Sequence, residues 1–181
     1  MGTNNAQLQR EQGFALIDLL FVVALIGTLA SIAMPGLLRA RSTAAVAAAI
    51  GTLRVINSSQ LSYAVTCGAG FYAADFVTLG TAPAGSPEGF ISGDMGSAVT
   101  VKKANYLFQM SGTPMPGSPA SCNGVGMGGG APAYRVGADA LDPADGRFFA
   151  TNASGVIYQA SVSLYGTMPE AAPPVGGTPV Q

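Results

Sequence analysis

The sequence predicts an α+β protein: a long N-terminal helix, apolar and membrane-spanning in its first part, packed on a small antiparallel sheet of about 3–4 strands. Three observations carry this expectation. An apolar run of 21 residues extends from Phe14 to Met34, with one acid, Asp18, near its start. An Ala-rich stretch with helical spacing follows it over 36–66. Beyond Cys67 come Gly-, Pro- and Ser-rich connections alternating with short apolar segments.

The first element is a helix by length and composition. At about 1.5 Å per residue, such a run spans about 32 Å, close to the hydrocarbon thickness of a bilayer. A secretory signal has a shorter apolar core followed by a small-residue cleavage site. Here a polar leader, MGTNNAQLQREQG over 1–13, precedes a longer run, so a true spanning helix is the better reading. Pro35 would normally end or kink a helix, yet helical pattern resumes after it. Ala supports helix, and Val46, Ile50, Leu53, Ile56, Leu61 and Val65 recur at roughly helical spacing. One helix is therefore expected from about 14 to 66, with a membrane segment over 14–35, an amphipathic segment over 36–66, and weak points at Gly27 and Pro35.

The remaining chain reads as a head over 67–165. A short helical turn is expected near Ala73–Leu79, and strands over 104–111, 132–138, 147–151 and 156–162. Asn152-Ala-Ser-Gly between the last two is a hairpin signal. The tail, 166–181, has no pattern and is expected to be disordered.

Composition excludes several function classes. The chain has no histidine and no tryptophan. His-based acid–base catalysis, His-ligated metals and the HExxH zinc site are absent with the histidine. Net charge is −1, so no basic surface points to nucleic acid. There is no CxxCH, P-loop or GxSxG, and neither an enzyme activity nor a cofactor is expected. Charge is uneven: residues 14–66 hold three arginines and one aspartate, whereas 67–181 hold four basic and seven acidic residues. Cys67 and Cys122 are the only cysteines, and in an exported chain they would pair.

The order of polar leader, Gly13, Phe14 and then ALIDLLFVVALIGTLASIAMP resembles the N-terminus of type IV prepilins and the related pseudopilins. The motif covers about 23 residues and is specific; the helix, loop and sheet plan behind it is similar over the whole chain. The resemblance implies cleavage between Gly13 and Phe14 by a membrane prepilin peptidase, which then N-methylates Phe14. It also implies an assembly role for Phe14 and Asp18, in which the new amine of one subunit meets the acid of its neighbour and sets axial register. The family usually has Glu where Asp18 stands, so the carboxylate is kept with a shorter reach. An intramolecular contact one turn apart is the simpler alternative for the same pair. Small residues, Ala24, Gly27, Ala30, Ser31 and Ala33, would permit close helix approach.

The implied life history is a precursor in the inner membrane, handled by the pilus or type II secretion assembly machinery, then a helical homopolymer at the cell surface. A major pilin is the leading reading. A type II secretion pseudopilin, in a periplasmic filament, is the first alternative, and a singly anchored periplasmic binding module the second. Arg39 and Arg41, just past the apolar run, would by the positive-inside rule lie in the cytoplasm. The cleavage motif places them on the other side and is the more specific signal. The pairing of Cys67 with Cys122 resembles pilin disulfides, although in many pilins the second cysteine lies nearer the C-terminus.

Weaker signals remain. Asp139, Asp142 and Asp145 could contribute to a calcium site of the kind major pseudopilins carry, or simply form turns. Asn57-Ser-Ser and Asn152-Ala-Ser fit the N-glycosylation pattern. Lys102 and Lys103 read as a charged guard on a sheet edge.

Overall fold

The computed structural model describes the backbone of residues 4–142 and 146–180, and side chains from residue 16 onward within that range. The first helix, α1, runs Asn4–Thr66 without interruption, through both Gly27 and Pro35. The chain divides into two compact units, 1–43 and 44–181. A short helix, α2 (Phe76–Gly80), follows, capped by Asp75, whose carboxylate accepts from the Thr78 amide at 2.7 Å.

Six strands form one sheet: β1 (Thr100–Lys103), β2 (Tyr106–Ser111), β3 (Arg135–Ala140), β4 (Phe148–Asn152), β5 (Ile157–Ala160) and β6 (Thr178–Pro179). They lie in sequence order and every neighbour is antiparallel. The expected α+β plan is therefore present, with six strands rather than three or four. The strand expected over 104–111 is present as β2 from Tyr106, but its first two residues form a turn to a further strand, β1, that was not expected. Ala104 and Asn105, at φ 49° and 66°, make a two-residue left-handed turn that pairs Lys103 with Tyr106. Polar Thr-Val-Lys-Lys carries no apolar alternation, so β1 exists because β2 templates it.

The core lies between the second unit's part of α1 and one sheet face. Ala49, Leu53, Ile56 and Tyr63 of α1 meet Tyr106, Phe108, Met110, Val136, Ala138 and Phe149 in one buried cluster. In β2, inward Tyr106, Phe108 and Met110 alternate with partly exposed Leu107, Gln109 and Ser111, as the pleat requires. The expected helical stripe is corrected at its end. Leu61 and Val65 are exposed at 59% and 74%. Gln60, Tyr63 and Ala64 are buried in their place. A period near 3.6 from Leu53 and Ile56 leads to 60 and 63, not to 61 and 65.

The expected disorder of the tail is also corrected. Leu164 and Met168 join Ala150 and Tyr158 in a second buried cluster. Asn152 Nδ2 donates to the carbonyls of Pro169 and Ala172 at 2.9 and 2.7 Å, and the Val180 amide donates to Ile157. Gly137 makes room for Tyr165: a Cβ there would sit 2.6 Å from Tyr165 Cβ. The segment is irregular in sequence because it straps across a sheet face rather than forming a periodic element. Lys102 and Lys103 do lie on an edge strand, and Lys103 Nζ reaches Asp94 Oδ2 at 2.7 Å.

Candidate functional site

In α1, every large apolar side chain from Leu16 to Leu38 is exposed, up to 79% at Ile32. The most apolar stretch has a mean hydropathy of 2.4 and no buried residue, so the helix is long and apolar enough to cross a membrane. At about 1.5–3 kcal/mol per large side chain, leaving this stretch in water forfeits on the order of 20 kcal/mol. Its hydroxyl chemistry suits an apolar solvent: Thr28 Oγ1 donates to the Leu25 carbonyl at 2.8 Å.

Asp18 is exposed and has no ion pair among the described residues. Gly13 and Phe14 lie within the α1 backbone, and the Phe14 side chain is outside the described residues. Phe14 is one helical turn before Asp18, about 6 Å along the axis. While the Gly13–Phe14 bond is intact, Phe14 carries no free amine. Ala24, Gly27, Ser31 and Ala33 are exposed, and a Cβ at Gly27 would meet nothing within 4 Å. Helical backbone at Gly27 and Pro35 shows that neither residue alone breaks α1, although Pro35 has no N–H to give the Ser31 carbonyl.

In the second unit, Cys67 and Cys122 form a disulfide, with Cα atoms 4.9 Å apart. It ties the end of α1 to the 112–131 connection, where the Cys122 amide also donates to the Cys67 carbonyl at 3.1 Å. Closing a loop of this size is worth about 4 kcal/mol on chain-entropy reasoning. Asn123 extends the tie: its Nδ2 donates to the Thr78 carbonyl at 2.7 Å. Three glycines permit the neighbouring loop to cross itself; a Cβ at Gly96 would lie 2.6 Å from Gly80 Cα.

The two glycosylation patterns fall on structural asparagines. Asn57 Nδ2 donates to Thr151 Oγ1 and the Gly155 carbonyl, while its Oδ1 accepts from Tyr134 at 3.0 Å. Asn152 is fully buried, with its amide committed to the tail. Burial holds the Tyr134 phenol above its ordinary pKa, so it stays a donor to Asn57. Gln60 is a buried core residue that apolar periodicity missed. Its amide makes a paired contact with Ala73, donating to the carbonyl and accepting from the amide, both at 2.9 Å.

Of the three candidate calcium ligands, Asp145 lies outside the described residues. Asp139 Oδ2 accepts from Ser163 Oγ at 2.8 Å, and its Oδ1 is buried with no hydrogen bond among the described residues. Burial raises the Asp139 pKa, opposed by the Ser163 bond. Among the described residues, no three metal-ligating side chains converge. Asp94 shows the opposite environment: the Lys103 ammonium holds its carboxyl down to about 2. A surface recess of about 450 Å³ is lined by Arg147, Gln159, Ser161 and Thr178 and presents a single ionisable group. Compared with protein-family models, curated proteins and solved structures, the chain matches none of them.

Proposed function

We propose that the chain is a type IV pilin-like structural subunit, a major pilin that is cut after Gly13 and self-assembles through α1. The observation that carries this reading is a continuous helix whose exposed apolar stretch holds one carboxylate, Asp18, four residues after a Gly13–Phe14 junction. A disulfide-tied α+β head follows it. In this reading α1 has two solvents in succession: lipid in the inner membrane, then neighbouring helices in a filament.

Peptidase cleavage supplies the chemistry of assembly. Hydrolysis leaves Phe14 with a protonated amine, and methylation keeps it charged. A carboxylate at a bilayer centre costs about 2.5–3.5 kcal/mol on insertion scales. Leaving either charge unpaired in a filament core is expensive, so only staggers that bring the Phe14 amine to a neighbour's Asp18 are favoured.

Intact-mass analysis of protein sheared from the cell surface tests the reading. A chain beginning at methylated Phe14 supports the pilus. The same chain confined to membrane and periplasmic fractions supports a secretion pseudopilin. Retention of Gly13 everywhere overturns the prepilin reading. Asp18→Ala is expected to abolish polymer while membrane insertion persists; unchanged polymer would leave a singly anchored periplasmic module as the better account.

A further inference from the structure

Asp18, Arg39 and Arg41 are the only ionisable side chains from Leu16 to Thr43. They bracket the apolar stretch. Arg39 lies 21 residues after Asp18 in continuous helix, about 32 Å along the axis. A tilt of about 20° brings the projection to about 30 Å, the thickness of a bilayer's hydrocarbon core. When Asp18 sits in one polar layer, the arginines therefore sit in the other.

The arginine end is built to meet a headgroup layer. Both side chains are exposed, and neither has an ion-pair or hydrogen-bond partner among the described residues. Leu37 and Leu38, immediately before them, are 54% and 65% exposed, so the apolar surface continues up to the charges. Two residues apart on a helix is about 200° of rotation, which sends the two guanidinium groups to opposite flanks at nearly one depth.

We propose that Arg39 and Arg41 form a binding site for the phosphates of acidic phospholipid, and that this site fixes the depth at which the subunit is stored. The inference rests on the membrane-spanning part of the function proposed above and goes beyond it. A guanidinium is always charged and grips phosphate oxygens in pairs. A lipid with net negative charge is preferred over a zwitterionic one that carries the same phosphate beside its own cation. The far end follows by geometry: Asp18 stays in the opposite polar layer, hydrated, and needs no partner during storage. Withdrawal toward the arginine side strips phosphates from Arg39 and Arg41 and carries Asp18 into hydrocarbon. The two ends thus resist the same movement.

The absence of tryptophan makes the test clean, since an introduced indole is the only one present. Full chain carrying Leu38→Trp is reconstituted in mixed phosphatidylcholine and phosphatidylglycerol, with bromine quenchers on one lipid class at a time. Phosphatidylglycerol is expected to associate about fivefold or more in preference to phosphatidylcholine. In Arg39→Gln/Arg41→Gln that preference falls to near one, while Arg54→Gln retains it. Leu29→Trp, midway between the charges, reads depth. It is expected at the bilayer centre with the arginines present and displaced without them. Equal association of both lipids, or a preference that survives the double substitution, overturns the site. Unchanged Leu29→Trp depth in the double variant overturns the depth-setting role. Unchanged lipid preference with loss of cross-linking between copies would assign the arginines to subunit contact instead. If no brominated lipid quenches Leu29→Trp, the membrane reading itself fails.

Discussion

Ile32 and Ile56 belong to one uninterrupted helix, yet the first is 79% exposed and the second is fully buried. The backbone conformation is the same; the surroundings differ. Around Ile32, apolar residues occur on every face, as a helix solvated by lipid or by other helices requires. Around Ile56, Leu53, Ile56, Gln60 and Tyr63 form the buried side, while Arg54, Val55, Ser58 and Leu61 are exposed. The first region supplies cohesion only when something outside the chain covers it. The second builds the head from within. A single secondary-structure element thus carries an apolar stretch left uncovered by its own chain and a stretch buried in the head.

The largest expected effect comes from opening the Cys67–Cys122 tie, where the buried half of α1 ends. Reduction, or Cys67→Ser with Cys122→Ser, should lower head stability by about 4 kcal/mol. Denaturant unfolding followed by near-ultraviolet dichroism measures this. In lipid vesicles, the far-ultraviolet helical signal of the apolar stretch should outlast the loss of the head. Simultaneous loss of both signals would show that the two regions fold as one unit.

Next is a matched pair of truncations. Leu53→Ala empties a fully buried position and should cost about 3 kcal/mol of head stability. Leu29→Ala, at an exposed position, should leave the head's unfolding midpoint unchanged. A large effect at Leu29 would mean that the apolar stretch contributes to the head's core.

The smallest effect is electrostatic and lies in the head. Asp94 has its pKa lowered from 3.8 to about 2. Its contribution is present above pH 4 and fades as pH falls through the folded value. Asp139 is shifted upward, so its contribution has the opposite sign, present below its unfolded value and lost as pH rises through the folded one. Asp139→Asn should therefore remove a stability loss seen on raising pH from the acid range. Lys103→Met should flatten the acid-side loss attributed to Asp94. Thermal unfolding as a function of pH checks both; identical profiles for all variants would count against the assignments.

Much of this architecture was legible in the residues. Continuous apolarity gave the first half of α1, and Ala content with spaced apolar residues gave the second. Asn152-Ala-Ser-Gly announced the β4–β5 turn, which the structure closes with a Gly155 amide to Asn152 carbonyl bond of 2.9 Å. Cysteine count predicted the disulfide. Gln60 was illegible because polar side chains are normally outside; the Ala73 backbone, supplied by a later loop, and the Met110 sulfur satisfy its amide once it is buried. The strap over 163–180 was illegible for a related reason. Its anchors, Leu164 and Met168, are isolated apolar residues whose value depends on a bare sheet face.

By itself the sequence determined what local chemistry controls: where the chain is helical, where it turns, which stretch cannot remain in water, and where a charge interrupts that stretch. These follow from backbone propensity and transfer free energy, which act within a few residues. The tertiary structure decided which face of the amphipathic helix is covered, that six strands rather than three or four pair, and that a patternless tail is packed. It also turned two sequon asparagines into internal hydrogen-bond partners. Each of these depends on groups tens of residues apart becoming neighbours, so the deciding energies are those of pairing and burial between distant segments.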